Sequence, residues 1–227
     1  MVKRSALFAV LGLAAIMALG NAPNWTLKVA LTDGGHLFGN PDAKVSLIEW
    51  VSYTCPHCAG FSRDGDGALQ IAYVGPGKIN REIRHIVRDP VDLTAAMLTN
   101  CGPPAKFHRN HAAIMFSQSE WLPLLDTASS AQRARWHSGD HAARRRAIAS
   151  DFGFYAIMER RGYRRTEIDR CLADGVRAKN LADNTQKDSE KYFVKSTPSF
   201  AIDGILLAGT HDWSLLEPQL KARLPAN

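Results

Sequence analysis

The alternation of apolar and polar positions divides the chain into a β-rich front, a long helical middle and a short β–β–α close. "WTLKVAL" at 25–31 alternates as a strand does. "TDGGHLFGNPDA", which follows, is dense in Gly, Asn, Asp and Pro and predicts a loop. "KVSLIEWVS" at 44–52 is continuous in β-branched and aromatic residues, which predicts a buried central strand. A helix is expected from Cys55 or just after it, with Pro56 in the first turn, where its missing N–H costs nothing. Gly65 and Gly67 fall inside that helix and cost up to about 1 kcal/mol each against Ala, so a kink or loosened turn is expected there.

"KINREIRHIVR" at 78–88 predicts another strand, with Ile79, Ile83 and Ile86 as its apolar members. From Pro90 to about Tyr192 the apolar residues recur at helical spacing, with breaks at Gly102-Pro103-Pro104, Ser138-Gly139 and Gly162. "TPSFAIDGILLAG" at 197–209 predicts two short strands turning at Asp203-Gly204. "DWSLLEPQLKARL" at 212–224 predicts a helix capped by Asp212. The order predicts an α/β sheet covered by helices, with a helical block inserted into it.

Before the first strand, Lys3 and Arg4 precede the apolar run "ALFAVLGLAAIMALG", which ends in small residues near Gly20 to Ala22. This is the pattern of a secretory signal peptide over residues 1–22, and the run is short for a bilayer span. An uncleaved anchor is the alternative. Export implies a compartment in which disulfides persist.

Composition adds little beyond class. With 227 residues, 45% hydrophobic and 22% charged, the chain is ordinary globular protein, neither disordered nor membrane-embedded. The formal net charge of +6 is weak evidence of any partner. Two basic runs stand out, "HAARRRA" at 141–147 and "RRGYRR" at 160–165. They suit solvated helix surface, or docking to acidic substrates or an anionic membrane face. Neither is interleaved with aromatics as a nucleic-acid groove is, so no nucleic acid is expected.

The candidate chemistry lies in "VSYTCPHCAGF" at 51–61, where Cys55 and Cys58 flank Pro56 and His57. Zinc is the main rival to redox chemistry, but a tetrahedral thiolate site needs a second ligand pair, and Cys101 and Cys171 are isolated. "DGDG" resembles part of a calcium loop, yet Gly75 stands where the closing glutamate is needed, so no metal is expected. A helix N-terminus favours a thiolate at Cys55. His57 supplies a positive charge or hydrogen bond, and Cys58, one turn inward, is the resolving partner. Stabilising the reduced thiolate makes the disulfide a stronger oxidant. Of the histidines without a role, His108 and His111 share a helical face that could bind a metal, and they are expected instead at the surface.

"IEWVSYTCPHC", with the later "STPSF", resembles the DsbA family of exported thiol:disulfide oxidoreductases. The resemblance runs from "GNPDAKVSLIEW" to the C-terminal helix. It implies a thioredoxin-like fold in two parts, 23–88 and 186–227, with an inserted α-helical domain at 89–185. It implies that Thr197-Pro198 forms the cis-proline loop facing the cysteines, with Thr197 bonding substrate backbone. It also implies that Glu49 is a buried acid that takes the Cys58 proton.

The activity implied is a periplasmic dithiol oxidase acting on reduced, unfolded exported proteins. It would be a monomer without cofactors, reoxidised by a membrane quinone-linked partner of the DsbB type. The alternatives are a disulfide isomerase or reductase, and a holding chaperone with an idle C-x-x-C. Isomerase relatives usually add an N-terminal dimerisation segment, for which there is little room before Trp25. In an exported protein leftover cysteines tend to pair, and some relatives carry a second disulfide in the insert. A structural Cys101–Cys171 bridge is therefore expected over two buried free thiols. The arginine-rich stretch from Trp121 to Arg165 has no residue-by-residue match to the family.

Overall fold

The structure, a computed structural model, describes residues 24–224, and the expected signal peptide lies outside the described residues. Six strands form one sheet: β1 Val29–Leu31, β2 Gly35–Gly39, β3 Val45–Val51, β4 Ile79–His85, β5 Ser199–Ile202 and β6 Ile205–Leu206. Their order is β1-β2-β4-β3-β5-β6. β3 and β4 run parallel, and every other pairing is antiparallel. β3 is thus interior, and six of its seven residues are buried. Leu47, Glu49 and Val51 point to one face, Ile48 and Trp50 to the other, as the strand period demands.

Two strand expectations need correction. Residues 25–27 form a 3-10 turn, leaving only Val29–Leu31 as strand. The predicted loop contains β2, which pairs with β1 and β4. Its glycines are a requirement of close packing: a Cβ on Gly35 would stand 2.1 Å from the Ile83 carbonyl oxygen. Composition that marks a loop elsewhere here marks a strand pressed against its neighbour.

Between β3 and β4 the chain forms α1 Pro56–Asp64, the short α2 Asp66–Ala68 and a π-turn over Leu69–Val74. The loosened turn falls at Gly65, where a Cβ would meet the Phe61 ring at 2.9 Å. The insert comprises α3 Pro90–Thr99, α4 Phe107–Phe116, α5 Gln118–Trp121, α6 Leu124–Thr127, α7 Ser130–His137, α8 His141–Asp151, α9 Phe154–Arg160 and α10 Arg165–Ala173. The next helix, α11 Gly175–Tyr192, runs unbroken through the expected boundary at 185. It returns to the sheet, where Asp188 accepts from Trp50 Nε1 at 2.8 Å and from Arg84 Nη1 at 2.9 Å.

α12 Trp213–Arg223 closes the chain, capped by Asp212 through Leu215 N–H. The β5–β6 hairpin turns at Asp203 and Gly204, both at positive φ. Cys101, just after α3, and Cys171, in α10, are bonded with Cα atoms 5.7 Å apart. Closing a loop of separation 70 is worth roughly 4 kcal/mol in the chain-entropy account. No helix of the described residues is long and apolar enough to cross a membrane.

Candidate redox site

β3 delivers the chain into a tight turn, where Cys55 N–H donates to the Ser52 carbonyl at 3.2 Å. Cys55 is then the N-cap of α1, in extended conformation, with Pro56 at the first helical position. Four side chains from the following segment and the insert hold this turn. Asp92 accepts from Ser52 Oγ at 2.6 Å and from Tyr53 N–H at 2.7 Å. Asp89 accepts from Thr54 Oγ1 at 2.6 Å. Gln118 Nε2 donates to the carbonyls of Tyr53 at 2.6 Å and Cys55 at 2.9 Å. Arg88 Nε donates to Ser52 Oγ at 2.9 Å.

Cys55 and Cys58 are free thiols, 3% and 1% exposed. As a thiol, Cys55 Sγ donates to the Thr197 carbonyl at 3.0 Å. Its pKa is lowered to about 5. The hydrogen bond from the Cys58 thiol is the largest cause; burial opposes it, and the Thr197 hydroxyl, the Cys58 backbone N–H and the Arg88 charge add to it. The Cys58 thiol is pushed well above its ordinary value, chiefly by burial and then by the Cys55 sulfur beside it. The Ser52 backbone N–H, 3.5 Å from Cys58 Sγ, opposes that rise. The pair is therefore asymmetric: one thiolate at neutral pH and one protonated thiol. The Thr197 hydroxyl is buried with no hydrogen-bond partner among the described residues, yet its position favours the charged form of both sulfurs.

Glu49 lies buried on the α1 side of β3, where it meets Arg81 of β4. Arg81 Nε donates to it at 2.9 Å, and Nη2 also reaches Asp66 at 2.5 Å. Burial raises Glu49 to about 7 against the pull of Arg81, whereas at Asp66 the Arg81 charge overcomes burial and holds the carboxyl down. Two carboxylates thus share one buried guanidinium. No hydrogen bond joins Glu49 to either sulfur among the described residues.

The Thr197-Pro198 bond is cis, and His211 Nδ1 lies 2.7 Å from the Pro198 carbonyl oxygen. Pro56 and His57 are exposed beside the N-cap, and no hydrogen bond links His57 to a sulfur among the described residues. The charge that acts on Cys55 comes from Arg88.

The surface placement expected of His111 is corrected. It is buried with Nδ1 2.9 Å from the Tyr53 hydroxyl, and α4 turns it toward Phe107. His36 stacks on the same Phe107 at 3.8 Å between ring centroids, and His85 meets it edge-on. His108 is half-buried, with Nε2 3.3 Å from Gln70 Nε2. Arg81, Arg88, Asp92 and Gln118 were not legible as site residues, because each reaches the turn or the strand from a distant part of the chain. Only the helix-start pattern "DPVD" at 89–92 hinted that two acids would lie beside a helix N-terminus.

The family model described as Thioredoxin matches residues 31–222. A solved structure of a protein-disulfide isomerase from Novosphingobium aromaticivorans is 53% identical, with a TM-score of 0.82, over 86% of this chain and 100% of that one. Wolbachia pipientis alpha-DsbA1 shares the fold at 19% identity, with a TM-score of 0.67, over 86% of this chain and 93% of that one. A curated relative from Rickettsia bellii, named "Putative protein-disulfide oxidoreductase", is 26% identical over 79% of this chain. The chain spans 62% of that relative's length and 54% of the Rickettsia typhi counterpart's.

Proposed function

The chain belongs to the thioredoxin family and has the DsbA-type fold, and from that premise we propose that it is a protein thiol:disulfide oxidoreductase working through Cys55 and Cys58. The observation that carries this is the asymmetry of the two thiols at the start of α1. A substrate thiolate attacks Cys55 Sγ of the Cys55–Cys58 disulfide, and Cys58 leaves as thiolate and takes a proton. The substrate's second thiolate then attacks its own sulfur in the mixed disulfide, and Cys55 leaves as the stabilised thiolate. Two electrons pass from the substrate dithiol to the protein. No metal or organic cofactor enters these steps.

Net oxidation of substrates is the direction favoured by a Cys55 thiolate held at about 5, because a stabilised reduced form makes the disulfide more oxidising. Glu49, raised to about 7 on the α1 side of β3, is the proposed acceptor when Cys58 loses its proton on reoxidation. Thr197 offers its backbone to substrate beside Cys55. The Cys101–Cys171 bond and the leader pattern support an exported, periplasmic protein whose substrates are reduced exported chains and whose oxidant is a membrane quinone-linked partner. A second reading, disulfide isomerase, is favoured by the name of the 53% identical chain.

Trapping tests the cysteine assignment. Cys58→Ser should accumulate mixed disulfides through Cys55, and Cys55→Ser should be inactive. Trapping by Cys58 in the Cys55→Ser variant would reverse the roles. Recovery of activity from reduced rather than scrambled ribonuclease separates oxidase from isomerase.

A further inference from the structure

The basic run at 141–147 has no part in the chemistry above, yet α8 carries it to the side of the redox turn. There a groove of about 370 Å³ opens between the starts of α3 and α8 and the end of α7. That volume falls in the ~300–1,000 Å³ range of ligand clefts. Its floor is apolar, made by Leu93, Trp136 and Ile148. Its walls carry Arg88, Arg144 and Arg145 together with the exposed His137 and His141. A second cleft shares Trp136 and His137 and extends the groove to Arg133 and Leu125.

None of Arg88, Arg133, Arg144 and Arg145 makes an ion pair among the described residues. Arg145 is 8% exposed, and among the described residues only its Nε is bonded, to the Leu172 carbonyl at 2.5 Å. Arg144 likewise spends Nε on the Gly139 carbonyl at 3.0 Å. The terminal nitrogens of both remain without a protein hydrogen bond among the described residues. Among the described residues Asp89 is the one acid lining the groove, and its oxygens are taken by Val91 N–H, Asp92 N–H and Thr54 Oγ1. Desolvated guanidinium groups with free N–H forks favour carboxylates, which they bind two-pronged.

We propose that this groove binds an acidic, partly apolar peptide segment of the redox substrate, with carboxylates on Arg144 and Arg145 and an apolar side chain on Trp136. The proposal rests on the oxidoreductase reading. A peptide rather than a lipid surface is the occupant because one wall of the groove, Arg88, is bonded to Ser52 of the redox turn. Arg88 lines the groove and also bonds Ser52 and acts on Cys55.

The test uses the full protein and a fluorescein-labelled, cysteine-free octapeptide of alternating Glu and Leu, followed by anisotropy. The acidic peptide should bind, and binding should weaken with salt. A Lys-Leu counterpart should not bind. Arg144→Glu should weaken binding by about tenfold or more, and Arg144→Lys, which keeps the charge but loses the two-pronged donor, should weaken it by less. Equal binding of the two peptides would overturn the proposal. So would an unchanged affinity in a folded Arg144→Glu protein, or binding to phosphatidylglycerol vesicles without binding to the peptide. His141→Glu, at an exposed rim position, repeats the charge test should Arg144→Glu fail to fold. A neutral dithiol peptide separates the two readings. Its oxidation without any preference for acidic sequence would overturn the groove alone, and acidic-peptide binding without oxidation would overturn the oxidoreductase reading.

Discussion

Arg88 Nε donates to Ser52 Oγ at 2.9 Å, across 36 residues of chain, and with Nη2 donating to Thr54 Oγ1 at 3.3 Å it puts a guanidinium beside the reactive turn. Ser52 in turn offers its backbone N–H to Cys58 Sγ, so one residue connects the charge to the buried sulfur. Replacing Arg88 with Gln removes the charge and keeps a donor. The Cys55 thiolate midpoint should rise from about 5, by less than removal of the Cys58 hydrogen bond would raise it, because Arg88 is the smallest of the causes that lower it. The disulfide should become less oxidising in proportion, by ~30 mV for each pH unit of that rise. Thiolate absorbance at 240 nm reads the first and glutathione equilibration the second. An unchanged midpoint would remove Arg88 from the site.

The asymmetry of the pair also sets how the potential varies with pH. Above about pH 5, reduction delivers a thiolate at Cys55 and a thiol at Cys58, one proton for two electrons. The potential should then fall by about 30 mV per pH unit, and below pH 5, where both sulfurs take protons, by about 59 mV. The sign for stability follows from the same lowered value. The thiolate stabilises the reduced fold fully above the unfolded value of 9.0, and that contribution is lost as the pH falls through about 5. A potential falling by 59 mV per pH unit across pH 6–8 would mean that Cys55 is protonated there.

His36, His85 and His111 surround Phe107 as neutral rings, lowered by burial to about 4, 3 and 3. Below 6.5 the unfolded chain takes up protons that the folded chain refuses, so stability should fall as the pH drops from 6.5 toward 4. Urea titrations across that window should show the loss. His111→Gln should make it shallower by about 1.4 kcal/mol per pH unit, one proton's worth, while costing stability at pH 7 through the Tyr53 hydroxyl contact. An unaltered slope would mean that His111 is protonated in the native protein.

What the sequence made legible is what local chemistry determines. β3, the Pro56 helix start, the Asp203-Gly204 turn and the Asp212 cap each depend on a few consecutive residues, and the structure has all four. The thioredoxin fold itself rested on resemblance, and the family match bears it out. β2 was hidden because its glycines serve contact with β4, a pairing invisible along the chain. The expected boundary at 185 lies within α11, a single helix from Gly175 to Tyr192. His111 reads as surface in a polar helix and is buried only because Tyr53 and Phe107 converge on it. At the site, the charge expected from the adjacent His57 is supplied by Arg88, which neither spacing nor composition could indicate. Glu49 is as buried as the resemblance implied, but its Arg81 and Asp66 partners come from other elements and change what its carboxylate faces.

The central claim is that the Cys55–Cys58 pair is built to be reduced by other proteins. Its most direct test is the potential of that pair at pH 7, measured by equilibration with reduced and oxidised glutathione and read with the Cys55 thiolate titration on the same sample. The account predicts a potential between about −180 and −120 mV, the range of disulfide donors, with Cys55 titrating near 5. A potential near about −270 mV, as in thioredoxin-type reductants, with Cys55 titrating above 8, would contradict it.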